Sequence, residues 1–192
     1  MNELFTQRNA FEEFVRAAEG VPRDAINIIG LAAQRALDDP ISVPDVRMAA
    51  RTWYLRAKQQ AVQTKPEAQV LLEWIVNEVI QHRQARAFLL GTDVKDELID
   101  FLYDARVIHV IRQGISGGDI PGRRFTVYSL DYGCYVDLIN TTRAPRGLFE
   151  AEINGQDGSA GFVEVPQTDY RSIRRAILDL KSFYARPQTD SV

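Results

Sequence analysis

The sequence predicts a mainly α-helical protein with a small β wing, an α+β fold. Apolar residues recur with helical period in four stretches across residues 10–82, whereas short β-rich runs around a single helix follow residue 87. At 192 residues, with 45% apolar and 26% charged side chains, the chain is long enough for one large domain or two small ones with a real core.

The first helix follows from Phe11, Phe14, Val15 and Ala18 on one face, with Gly20 as its stop. Pro22 opens the second in its first turn, where a missing N–H costs nothing, and Ile26, Ile29, Ala33 and Leu37 form its apolar set. Asp38-Asp39-Pro40 ends it. Ser42-Val43-Pro44-Asp45 reads as a capping box for a third helix, with Val46, Ala49, Ala50, Trp53, Tyr54 and Ala57 inward. Thr64-Lys65-Pro66-Glu67 reads as another, for a fourth helix burying Ala68, Leu71, Leu72, Ile75 and Val79.

Beyond this point Ala87 to Gly91 suits a strand, and Asp93 to Ala105 a helix burying Val94, Leu98, Phe101, Leu102 and Ala105. Val107 to Arg112 is β-rich, Gln113 to Gly122 is a loop, and Arg124 to Tyr132 alternates. Phe125 and Val127 fall on one of its faces, Tyr128, Leu130 and Tyr132 on the other. Helix, strand, helix, strand, Gly-rich loop, strand is the order of a winged helix. The expected divisions are 1–63 as a helical region, 64–142 as a winged-helix domain and 143–192 as a C-terminal extension. The extension is expected to end in a helix carrying Tyr170, Ile173, Ile177, Leu180 and Tyr184.

Arg23 is out of place on charge alone, because the positive end of a helix dipole disfavours a cation in the first turn. The open amides of that turn do suit an anion, and an arginine beside them strengthens such a site. Glu19-Gly20-Val21-Pro22-Arg23-Asp24-Ala25-Ile26-Asn27 resembles the lid motif of AAA+ ATPases, a glycine followed by a proline and an arginine that open a helix. Followed by a winged helix, it looks like the origin-recognition and replication-initiator branch. The resemblance covers residues 10–60 most strongly and 66–140 more loosely. It implies a lid-like bundle in which Gly20 and Pro22 place Arg23 as the sensor-2 residue, reaching ATP held by a neighbouring core domain. The chain departs from that family in having no G-x-x-x-x-G-K-[ST] loop, so ATP is expected only alongside an ATPase core, and no hydrolysis by this chain alone.

Charge narrows the other options. The net charge of −3 and a pI near 5.5 argue against a basic, nucleic-acid-coating protein. Nucleic-acid contact must come from a local patch, and the best is the glycine-rich wing with Arg112, Arg123 and Arg124 at its base. The helix expected to read DNA instead carries Asp93, Asp96, Glu97, Asp100 and Asp104, which repel phosphates and suit a protein partner better. Arg171, Arg174, Arg175 and Lys181 read as a solvated basic face, and Trp53 and Trp74 as core anchors. A Cys134–His109 dyad lacks a marked orienting group or oxyanion site. One cysteine and two histidines without H-x-x-x-H spacing predict a metal-free protein, and no apolar run predicts a membrane span. The preferred reading is therefore a cytoplasmic lid and winged-helix region of an AAA+ ATPase, partnered by a core domain and touching DNA or protein. The alternative is a protein-binding winged-helix adaptor with no nucleotide or DNA role.

Overall fold

In a computed structural model the described residues are 4–117, 122–140, 148, 162–163, 165–166 and 168–186. The tip of the expected wing loop, 118–121, and most of 141–167 lie outside them. Helices α1 (Arg8–Ala18), α2 (Pro22–Ala36) and α3 (Val43–Tyr54) come first. A π-helical turn, Leu55–Gln59, continues α3 into the short α4 (Gln60–Gln63). Helix α5 (Pro66–Val76) likewise ends in a π-helical stretch, Asn77–His82. Strands β1 (Ala87–Gly91), β2 (Ile108–Ser116) and β3 (Arg124–Leu130) follow, with α6 (Glu97–Asp104) between the first two. The described residues thus form a mainly helical α+β fold.

Local chemistry sets most boundaries. Glu19 and Gly20 take left-handed conformations, φ 50° and 73°, so the chain turns sharply from α1 into α2. Ser42 caps α3 in a full capping box with Asp45. The second expected box does not form: Lys65 is the N-cap of α5, and the Thr64 hydroxyl donates to the Ala61 carbonyl instead. Asp96 starts α6 by accepting from the Leu98 and Ile99 amides, which shortens that helix relative to the expected start at Asp93.

Which faces turn inward differs from expectation in the first two helices. In α2 Ile28 and Ala32 are buried with Asp24, whereas Ile26 and Leu37 are 70% and 83% exposed. In α1 Glu13 is buried and Val15 is exposed. Both rotations turn a carboxylate inward to meet cations, Asp24 the buried Lys58 ammonium and Glu13 the half-buried Arg16 and Arg47 guanidinium groups. In α5 the expected residues Ala68, Leu71, Leu72 and Ile75, and Val79 beyond it, are all buried.

The sheet is antiparallel in the order β1-β3-β2, with Leu89 opposite Val127 and His109 opposite Ser129. Strand β2 extends through the expected loop to Ser116, with register shifts between Val110 and Arg112 and between Arg112 and Ile115. One sheet face sends Phe88, Leu90, Ile108 and Leu130 into a core shared with the helices, continuous from Phe5 to Leu180. The other face gathers Ala87, Leu89, Phe125 and Val127 with Ile173 of the tail. The tail also pairs along the outer edge of β1. Val163 bridges Ala85, Ile177 bridges Leu89, and the Leu178 amide donates to the Leu89 carbonyl. It is not one long helix: a 3-10 turn, Ser172–Ala176, is separated from α7 (Leu180–Tyr184) by this extended step. Two apolar clusters on opposite sheet faces explain the alternation of β3.

The capping box gives a direct check. Ser42→Ala should lower unfolding stability by about 1 kcal/mol in urea titration, without loss of helical circular dichroism.

Candidate functional site

Lys58 is 3% exposed, and its ammonium donates to Asp24 Oδ2 at 2.6 Å and to Asp131 Oδ2. The π turn puts it there. A π turn holds an extra residue, so the inward face slips by one position, burying Lys58 and leaving the expected Ala57 outside. Asp24 also accepts from Trp53 Nε1 at 2.9 Å, and Asp131 Oδ1 accepts from the Gly133 amide at 3.0 Å. Burial alone would lower the Lys58 pKa, but Asp131 and Asp24 raise it and keep the ammonium charged.

Glu19 and His109 extend this cluster. His109 Nε2 lies 3.4 Å from Glu19 Oε2 and 3.6 Å from Asp131 Oδ2. Burial, then the neighbouring Asp131 charge, push the Glu19 carboxyl well above its ordinary pKa. Gly133 sits so close to Tyr54 that an added Cβ would fall 2.2 Å from the tyrosine Cβ, which seats the Asp131 turn against α3. Next to it Cys134 is pushed far up by burial and by Asp131, the reverse of an activated thiolate. Its thiol lies 3.8 Å from the Val107 carbonyl.

A second buried carboxylate anchors α1. Glu13 accepts from Arg47 Nε and Arg16 Nη1, both at 2.6 Å, and from the Tyr132 hydroxyl at 2.5 Å. Burial would raise its pKa, but Tyr132, Arg47 and Arg16 together hold it below the ordinary carboxylate value. A cavity of about 730 Å³ opens beside these groups, lined by Glu19, Arg86, Ser129, Tyr135 and Tyr170 among others. Arg86 is 2% exposed, lies between the Tyr135 and Phe162 rings, and donates to the Tyr135 hydroxyl at 2.8 Å.

The residues singled out by sequence are placed as follows. Gly20 forms the left-handed turn, Pro22 is the first residue of α2, and exposed Arg23 lies over the Trp53 ring at 5.7 Å. Arg112 stacks over Tyr170 at 5.7 Å and Arg123 over Phe125 at 5.2 Å. Arg124 donates to the Gly114 carbonyl at 3.4 Å. Arg112, Arg123 and Arg124 are all exposed on the β2–β3 hairpin. Sequence reasoning missed the cluster of Glu19, Asp24, Lys58, His109 and Asp131, whose members come from separate elements. A lysine beside the apolar face of α3 was the available signal.

No family model matches the chain, and no curated protein or solved structure was found to be similar to it.

The cluster predicts two stability effects. Lys58→Met leaves Asp24 and Asp131 buried without their cation and should cost about 3–5 kcal/mol, read as a lower urea midpoint at neutral pH. Glu13 is more acidic folded than unfolded, so its contribution is complete above the ordinary pKa of 4.5 and lost as pH falls through the lower folded value. Glu13→Gln should therefore flatten the stability–pH profile below about pH 4.5, as measured by urea unfolding across pH.

Proposed function

We propose that this chain is the lid and winged-helix region of an initiator-like AAA+ ATPase. Arg23 acts as the sensor-2 arginine for ATP held by a core domain, and the β2–β3 wing contacts DNA. The observation that carries the reading is the position of Arg23. It is exposed in the first turn of α2, directly after the Glu19-Gly20 turn, and is steered by the Trp53 ring. Val21 gives α2 no side-chain cap, which leaves the first-turn amides available to an anion. The β1-β3-β2 sheet with a β2–β3 hairpin supports the winged-helix part. ATP enters this function only with the core, because the chain has no phosphate-cradling loop.

A specific observation also favours the adaptor reading. Helix α6 exposes Glu97, Asp100, Tyr103 and Asp104, a carboxylate face around one aromatic ring that suits a basic protein surface and repels a phosphate backbone.

Fluorescence anisotropy of a labelled duplex at about 50 and 200 mM salt separates the two. A DNA-binding wing gives a log–log salt slope near −0.9 per phosphate contacted. Arg123→Glu with Arg124→Glu should then weaken binding at least about tenfold, through both lost contacts and added repulsion. No binding at the lower salt removes the DNA-binding wing and favours the adaptor. In a protein joining this chain to an ATPase core, Arg23→Ala should lower ATP turnover at least about tenfold. Unchanged turnover and nucleotide affinity would remove the sensor assignment.

A further inference from the structure

Glu19 at the end of α1, His109 on β2 and Asp131 just after β3 each offer one donor atom, and the three atoms lie within 4.8 Å of one another. Glu19 Oε2 and His109 Nε2 are buried and have no hydrogen-bond partner among the described residues. An independent observation points to the same place. Ser129 stands opposite His109 in the β2–β3 register, is 1% exposed, and its buried hydroxyl oxygen is also without a partner. Ser129 and Glu19 line the same cavity. Buried polar groups in folded proteins are nearly always satisfied, so Glu19 Oε2 and His109 Nε2, 3.4 Å apart without a hydrogen bond, and the Ser129 hydroxyl on the neighbouring strand leave a place for a ligand.

We propose that Glu19, His109 and Asp131 bind a divalent transition-metal ion, with zinc the best fit, at the edge of the cavity that Glu19 and Ser129 line. Two of the three donor separations match a tetrahedral ion. Bonds of about 2.0–2.1 Å place tetrahedral ligand atoms roughly 3.3–3.4 Å apart, against about 2.9 Å for neighbouring octahedral ligands. The observed separations from His109 Nε2 are 3.4 and 3.6 Å. One imidazole and two carboxylates form a nitrogen–oxygen donor set suited to zinc and poorly suited to magnesium. The Lys58 ammonium bonds Asp131 Oδ2, the oxygen that lies near His109, and the Gly133 amide bonds Oδ1, so both oxygens of that carboxylate are held in place. The ligands are spread across three elements, which is why residue spacing did not reveal them.

The test uses the whole chain, stripped with chelator and titrated with zinc chloride alone by calorimetry. One equivalent should bind with a Kd of order 1 μM or tighter. His109→Ala and Glu19→Gln should each weaken binding by about 100-fold, while magnesium chloride should not compete. His82 is exposed and 3.1 Å from Glu78, so it is the competing surface site, and His82→Ala should bind zinc as the parent does. X-ray absorption of zinc-loaded His82→Ala protein, where His109 is the remaining histidine, needs no substitution inside the cluster. A four-coordinate shell containing one imidazole supports the site. No zinc uptake, uptake lost in His82→Ala, or a shell without imidazole would overturn it.

Discussion

The fold turns on one buried ammonium. Lys58 links Asp24 near the start of α2 to Asp131 at the end of β3, so a single side chain holds together the helical region, its own helix and the sheet. Burying such a triad is costly, and apolar replacements of similar volume are frequently as stable. What the triad supplies is direction. The lysine and its two carboxylate partners tie one face of α2 and the Asp131 turn to the same buried point. The π turn in the third helix is the backbone distortion that this choice demands.

Where the polar pairs are absent, sequence periodicity was sufficient. Helix α5 buries the residues its spacing indicates, and the two faces of β3 divide between the two apolar clusters. The capping box at Ser42 was also legible, because both partners lie within four residues. The inward faces of α1 and α2 depart from their apolar periodicity for one reason: Glu13 and Asp24 have partners contributed by distant parts of the chain. Spacing along a helix carries no information about a cation 34 residues away. The short 3-10 and extended path of the tail is similarly hidden, since Ile173, Ile177 and Leu180 fit a helical period, whereas Ile177 bridges Leu89 of β1, Ile173 packs in the cluster on the sheet's other face, and Leu180 starts the separate helix α7.

The sites divide the same way. Arg23 and the wing arginines were visible because each breaks a local rule, a cation at a helix start or a basic cluster beside glycines. The carboxylate–histidine group breaks no local rule. In the structure Glu19 takes the left-handed conformation that helix ends ordinarily give to glycine or asparagine. Only folding shows that this awkward position aims a carboxyl at His109.

The tail changes what the small sheet is to its surroundings. An uncovered β1 would present a row of unpaired amides and carbonyls beside the apolar patch of Ala87, Leu89, Phe125 and Val127, a template for another molecule's strand. With Val163 and Ile177–Leu178 laid along it, that edge is already taken by the chain's own residues. The described part of the tail thus closes an edge of the sheet with the chain's own backbone.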